Sequence, residues 1–213
     1  IWTRFVCDGV ETSQEWFFAD LARTDEAAYD CLITIRNLRK ETLEEYGQFF
    51  ASYTDWNKQN GHLYWNADGS LTNYRDVGSK HLDYYVTAKN SMFHKLGRVP
   101  HCPRGGGKVK GTWKHPVSVS LAGPRGHRHV LMTEEAHTAA IAQGMHGIAQ
   151  DFLIYPTAGR LKAGASFRMH VRHLVTKATD KELPKKLNRW WSEFSRDHKR
   201  IRGLSRSTSA PKK

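Results

Sequence analysis

The sequence predicts an α+β protein, in which a helical N-terminal segment precedes a small mixed β-sheet packed with two or three helices and a basic C-terminal tail. Three observations predict this class. Apolar residues recur at helical intervals in the first 60 residues, turn-rich segments separate short apolar runs after residue 116, and the last helix is amphipathic. A hydrophobic content of 39% is typical of a globular chain and excludes a disordered polyelectrolyte.

Two helices are expected in the first 60 residues. Thr12 is followed at capping-box spacing by Glu15, and Thr42 is followed in the same way by Glu45. The second of these helices carries a broad aromatic face, which is typical of a core or of a surface that docks on a neighbouring protein. The apolar positions that recur are Ala28, Leu32, Ile35 and Leu38, then Tyr46, Phe49, Phe50, Tyr53 and Trp56.

The rest of the chain is predicted to alternate between strands and helices. A hairpin is expected over residues 61–75, because its two apolar runs flank the turn residues 66–69. Thr179 and Glu182 have capping-box spacing at the start of the final helix. The other expected elements are helices over residues 80–96, 133–150 and 179–201 and strands over residues 117–121, 129–132, 152–155 and 166–176.

Positive charge is concentrated in residues 84–213. This part holds 25 Lys and Arg against 7 Asp and Glu, whereas residues 1–83 hold 8 against 14. Residues 84–133, 152–179 and 198–213 contain no acidic side chain at all. Since solvated surfaces ordinarily mix both signs, this segregation favours a polyanionic partner, and RNA is the partner we expect.

The final helix has two opposite stripes. At 100° per residue, an apolar stripe that runs from Leu183 to Ile201 lies opposite a basic stripe. A Gly-rich basic segment over residues 104–114 is expected to form a mobile loop along phosphates, since it lacks the P-loop spacing. The residues predicted to bind RNA are Arg104, Lys108, Lys110, Lys114, Arg125, Arg128, Arg160, Lys162, Lys181, Lys185, Arg189, Arg196, Lys199, Arg200 and Arg202.

Histidine and cysteine spacing argues against a metal site. The twelve histidines form no His-Glu-x-x-His motif, and the three cysteines, Cys7, Cys31 and Cys102, form no Cys-x-x-Cys pair. We therefore expect free thiols, no metal, no cofactor and no catalytic residue. No apolar run approaches the roughly 20 residues that span a bilayer, so no transmembrane segment is expected.

These observations predict a structural RNA-binding component of a large ribonucleoprotein, with a mitochondrial ribosomal protein that contacts rRNA as the leading case. Residues 1–83 are expected to face neighbouring proteins, residues 84–204 to face RNA, and residues 205–213 to form a basic tail held by the assembly. The chain begins at Ile1, which favours removal of a targeting segment and a mitochondrial matrix location, with the cytoplasm as the alternative.

Two alternatives from other classes stay open. One is a nuclease-like enzyme that uses some of four histidines together with Asp151. The other is an accessory subunit of a membrane complex, bound to anionic lipid by the final helix. The four histidines of the enzyme alternative are His127, His129, His170 and His173.

Overall fold

The computed structural model describes residues 1–18, 26–44, 46–53, 61–73, 84–89, 91–99, 107–144, 149–154 and 159–204. These residues form thirteen strands, a single-turn helix α1 (Met92–Leu96) and a long helix α2 (Leu183–Leu204). In chain order the strands are β1 (Trp2–Cys7), β2 (Val10–Phe18), β3 (Glu26–Asn37), β4 (Gln48–Tyr53), β5 (His62–Asn66), β6 (Leu71–Asn73), β7 (Tyr84–Thr87), β8 (Arg98–Val99), β9 (Gly107–Ser120), β10 (Arg128–Thr133), β11 (Thr138–Gly144), β12 (Ala149–Ile154) and β13 (Ser166–Thr176).

The strands form one curled mixed sheet, a half-barrel, so the predicted α+β class with a helical N-terminal segment is wrong. The strand order is β1-β2-β3-β13-β10-β9-β7-β11-β12-β4, with β5 and β8 paired to β9 and with β6 paired to β5. Only the β7–β9 pairing is parallel among the described strands. Strand β3 pairs with β13 over eleven consecutive residues, so the N-terminal and C-terminal regions of the chain share one sheet.

Strand β9 joins the two halves of the curl. Its first half pairs with β7 and β8, whereas its second half pairs with β5 and β10. Val119 is paired with Leu63 of β5 and with Val130 of β10. The predicted mobile loop over residues 104–114 is therefore wrong from Gly107 onward, because those residues have strand partners; residues 104–106 lie outside the described residues.

Two apolar cores lie on opposite faces of the sheet. The first is enclosed by the curl and includes Ile33 of β3, Ile141 of β11 and Met169 of β13. The second lies between the outer face and α2, where Val130 of β10 and Trp190 of α2 are both buried. Successive strand residues point to opposite faces, so the same strands supply both cores.

The predicted N-terminal helices are strands. Thr12 lies in β2, opposite Phe5 of β1, so its predicted capping box is wrong; Glu45, in the other predicted box, lies outside the described residues. The residues expected to form a helix near position 28 form β3, whose central residues are buried on both faces. A strand of this kind presents an almost continuous apolar run, which also satisfies helical spacing.

Some of the other predicted elements are confirmed and others are wrong. The helix expected over residues 133–150 is wrong, because β11 and β12 form a hairpin there. The helix over residues 80–96 is reduced to α1, while residues 80–83 lie outside the described residues. The hairpin of β5 and β6, the strand β13 and the final helix are confirmed. Half of the predicted Thr179–Glu182 capping box is present: the Thr179 amide donates to Glu182 Oε2 at 2.8 Å, but the Glu182 amide donates to the Thr179 backbone carbonyl at 3.0 Å and not to the hydroxyl.

Candidate functional site

Helix α2 presents its basic stripe to solvent. Leu183, Leu187 and Phe194 of its apolar stripe are at most 2% exposed, because they pack on the outer face of the sheet. The opposite stripe is free to meet a partner. The exposed basic residues on and just before this helix are Lys181, Lys185, Arg189, Arg196, Lys199 and Arg200.

One lysine of β9, Lys114, extends this stripe onto the sheet. Lys108, Lys110 and Lys114 are all exposed, but the register of β9 against β7 shifts between Val109 and Gly111, so the three side chains do not keep to one face of the strand. Lys114 Nζ donates to Asn188 Oδ1 of α2 at 3.2 Å, which places strand and helix side by side. We call Lys114 and the six basic residues on and just before the helix the basic face.

Other residues predicted to bind RNA are held by internal ion pairs. Arg128 is buried and donates to Asp180 Oδ1 at 2.7 Å and to the Ala178 carbonyl at 3.0 Å. Arg160 donates to Glu44 at 2.7 Å. Arg128 is thereby held in the interior, whereas Arg160 remains 63% exposed in a surface ion pair.

Of the remaining predicted RNA-binding residues, Arg202 lies in the last turn of α2, and the others lie elsewhere in the chain. Arg202 donates to Glu134 at 3.1 Å and to the Arg168 carbonyl. Arg125 and Lys162 are exposed in turns, and Arg104 lies outside the described residues. The sequence had indicated a division of acid and base along the chain, but it could not show which acids would neutralise which bases.

A buried charged network lies beneath α2. Asp30 of β3 accepts from Arg172 Nε at 2.7 Å and from Arg172 Nη2 at 2.9 Å, and its Oδ1 lies 2.7 Å from His170 Nε2. Arg172 also donates to Asp197 of α2 at 2.8 Å. Burial would raise the pKa of Asp30, but the hydrogen bonds from His170 and Arg172 outweigh it and lower the pKa to about 2. This network fastens α2 to the sheet.

Three buried histidines lie on the inner side of the curl. His129 Nε2 lies 3.0 Å from His173 Nδ1, and His129 Nδ1 lies 2.5 Å from Gln150 Oε1. The His173 ring stacks on Tyr29 with ring centroids 4.7 Å apart. Burial lowers the pKa of His129 to about 4, and burial together with the charge of His129 lowers the pKa of His62 and His173 to about 3. All three rings are therefore neutral near pH 7.

The enzyme alternative required two of its four histidines to meet Asp151 in one pocket. His129 and His173 do come together, but His170 points to the other face of the sheet, where it contacts Asp30. His127 is half-buried before β10. The structure describes the backbone of Asp151 in β12 but not its side chain. Among the described residues, no three His, Cys, Asp or Glu side chains are arranged to hold a metal ion.

A pocket lies where the two edges of the curled sheet meet. Gln48 of β4 accepts hydrogen bonds from Tyr46 at 2.6 Å and from Thr12 of β2 at 3.4 Å. The cavity has a volume of about 310 Å³, and we call it the seam pocket. Its lining residues are Phe5, Cys7, Asp8, Val10, Thr12, Arg39, Leu43, Tyr46 and Gln48.

The turn that shapes the seam pocket carries a sequence signal for a hairpin, although a helix was predicted there. Asp8 and Gly9 have φ of 49° and 70°, and Asp-Gly between two apolar runs is a strong hairpin signal. Recognising it would have predicted the β1–β2 hairpin in place of a helix beginning at Thr12.

No helix within the described ranges has the length and apolar character needed to cross a membrane. This agrees with the expectation that the chain has no transmembrane segment.

Comparison with known proteins gives no assignment. The sequence matches no known protein family, and no curated protein matches it. The solved structures that match include the crystal structure of the Slr1438 protein from Synechocystis sp. PCC 6803, with 9% identity and a TM-score of 0.39. The match covers 83% of this chain and 66% of that protein. A likeness at this level carries no argument about function.

Proposed function

We propose that this chain is a non-catalytic RNA-binding protein that contacts the phosphate backbone with its basic face. The observation that carries the proposal is the separation of the two stripes of α2. The apolar stripe is buried against the sheet, and the basic stripe is exposed to solvent. An amphipathic basic helix docked in this way presents cations without needing to refold.

The charges of the basic face are mostly not neutralised by the protein. Lys181, Lys185 and Lys199 have no acidic partner within 4.0 Å among the described residues. The three arginines are the exceptions, because Arg189 donates to Glu26 at 2.7 Å, and Arg196 and Arg200 each lie 3.9 Å from Asp197 Oδ1. Unpaired cations on a continuous surface gain free energy by releasing the counterions of a polyanion.

Binding to RNA is favoured over binding to a membrane surface by where the apolar groups lie. A helix that rests on a bilayer inserts its apolar side into the lipid. In α2 that side is buried against the sheet, with Leu187 and Trp190 each 1% exposed. The exposed cations are left to contact a partner, and Lys114 of strand β9 supplies a further cation beside them.

The proposal is tested by the salt dependence of RNA binding. The probe is a fluorescent single-stranded RNA of about 20 nucleotides, with the affinity measured by anisotropy between about 50 and 200 mM salt. The variant replaces Lys181, Lys185 and Lys199 by Gln. Each lost phosphate contact lowers the steepness of the log–log salt plot by about 0.7, so we expect a decrease of about 2.

A matched control replaces the exposed residues Arg36, Lys40 and Lys95 by Gln, which removes the same charge outside the basic face. This control should keep the slope of the unmodified protein. Equal slopes for the two variants would overturn the proposal. Binding to phosphatidylserine vesicles without binding to RNA would overturn it in favour of a lipid partner.

The finer proposals are that the RNA is rRNA, that the particle is a mitochondrial ribosome and that residues 1–83 face neighbouring proteins. They are supported by the charge distribution of the sequence alone. Crosslinking in the native particle tests them together. RNA crosslinks concentrated in residues 1–83 would contradict the division of roles between the two regions.

A further inference from the structure

The seam pocket is an open cleft at one corner of the curled sheet. Strands β1 and β4 are the two ends of the strand order, and both contribute to its lining. The hydrogen bond of 3.4 Å between Thr12 and Gln48 shows how closely the two edges approach. A volume of about 310 Å³ falls at the lower end of the range for small-molecule sites.

The charged groups at the seam pocket neutralise one another. Arg39 forms an ion pair with the Asp8 carboxylate, and its Nε donates to the Asp8 carbonyl at 2.8 Å. Glu41 lies 3.7 Å from a second nitrogen of the same guanidinium. A charged ligand would therefore find no free opposite charge, and losing its water would be unfavourable.

The pocket does offer one unused hydrogen-bond donor. The Gln48 carbonyl oxygen already accepts from the Tyr46 hydroxyl and from the Thr12 hydroxyl, which fixes the orientation of the amide. Its NH₂ group has no acceptor in the part of the chain that the structure describes. Burial raises the pKa of Tyr46 to about 12, so this hydroxyl stays neutral and keeps donating at physiological pH.

The rest of the lining is apolar and reachable from solvent. Val10 and Leu43 pack against the inner core, whereas Phe5 of β1 is 46% exposed at the mouth. Cys7 lies beside Phe5 on the same face of β1 and is an exposed free thiol. An apolar molecule can enter past these two side chains.

We propose that the seam pocket binds a small, neutral, amphipathic molecule, whose apolar body packs between Phe5, Val10 and Leu43 and whose oxygen accepts a hydrogen bond from the Gln48 amide. This site is separate from the basic face and does not depend on the proposed RNA binding.

The direct test compares two ligands with the same chain. We expect 1-decanol to bind in isothermal titration calorimetry, and decanoate at pH 8 to bind about tenfold more weakly or not at all, because its carboxylate has no free partner. Equal binding of the two ligands, or no binding of decanol, would overturn the proposal.

Cys7 provides an independent readout of occupancy. Cys102 is first replaced by Ser, and Cys31 is 2% exposed with its pKa raised to about 12 by burial, so Cys7 is left as the reactive thiol. Saturating decanol should slow alkylation of Cys7 several-fold. An unchanged alkylation rate would show that decanol binds elsewhere and would contradict the proposal.

A pair of variants separates recognition from general stability. Gln48→Leu keeps the size of the side chain but removes the NH₂ donor, and it should weaken decanol binding about tenfold. Gln14→Leu makes the same change on β2 at a residue that does not line the pocket, and it should leave binding unchanged. Thermal melts of both variants show that they are folded; equal weakening by the two would refute the role of Gln48.

Discussion

Arg172 on β13 binds both carboxylate oxygens of Asp30 on β3, at 2.7 and 2.9 Å, in the layer between the sheet and α2. The side chains are only 8% and 5% exposed. The same guanidinium continues to Asp197 on α2. One arginine thus connects the N-terminal region, the last strand and the final helix.

The Asp30–Arg172 pair is expected to be important for the stability of the fold. Asp30→Asn leaves the buried guanidinium without its bidentate partner, and we expect a loss of about 3–5 kcal/mol in the free energy of unfolding. Urea denaturation followed by circular dichroism measures it. Arg4→Ala, which breaks the exposed pair with Glu11, should change it by less than about 1 kcal/mol. Similar losses in the two variants would contradict this prediction.

The buried histidines predict loss of stability in mild acid. Their folded pKa values are about 3 for His62, about 4 for His129 and about 3 for His173, against about 6.5 in the unfolded chain. Between these values the unfolded state binds more protons, so stability falls as the pH decreases from about 6.5 toward 4. Asp30 acts in a lower window, since its contribution is lost as the pH falls from about 4 to its folded pKa of about 2.

His173→Phe tests the origin of this acid sensitivity. The new ring can still stack on Tyr29, but one proton-binding group is removed. We expect the slope of unfolding free energy against pH, measured from pH 6 to pH 5, to decrease by up to about 1.4 kcal/mol per pH unit. His94→Gln on the exposed side of α1 should leave the slope unchanged. An unchanged slope in His173→Phe would place the acid sensitivity elsewhere.

Gly9 is predicted to be more sensitive to substitution than another turn glycine. Both Gly9 and Gly69 have positive φ, of 70° and 86°, so Ala strains either turn by about 1 kcal/mol. A Cβ at Gly9 would also come within 2.7 Å of Arg39 Cγ, whereas a Cβ at Gly69 meets nothing within 4 Å. Urea denaturation should therefore show the greater loss for Gly9→Ala, and adding Arg39→Ala should remove the difference.

The sequence allowed α2 to be predicted because its signals agree with one another. Its apolar stripe repeats over five turns, a capping box precedes it, and Pro184 stands in its first turn, where proline is tolerated. Because that stripe is buried, the basic stripe of α2 is exposed. This part of the candidate site could therefore be predicted from the helical repeat of apolar residues in the sequence. The ion pairs of Arg128, which is buried, and of Arg160, which stays exposed, depend on carboxylates distant in the sequence and could not be predicted from it.

The sheet was harder to predict, since tertiary context overrides local preference there. In β11 the helix-favouring residue Ala140 is buried together with Ile141 by pairing with β7 and β12. In β3 the residues Cys31 and Leu32 are both buried although they point to opposite faces. No window of sequence contains the pairing partners that decide these cases. The seam pocket is assembled from both ends of the strand order, so its residues could not be grouped in advance.

Adjacent tryptophans on α2 should respond very differently to truncation. Trp190 is 1% exposed in the outer core, and its Nε1 donates to Glu26 at 3.2 Å, whereas Trp191 is half-buried against His115. Trp190→Ala should lower the free energy of unfolding by about 3–5 kcal/mol, because it leaves a large cavity under the helix. Trp191→Ala should lower it by only about 1 kcal/mol, since much of its surface already contacts water. Urea denaturation of the two variants measures both losses, and a larger loss for Trp191→Ala would mean that the helix is rotated from the orientation described.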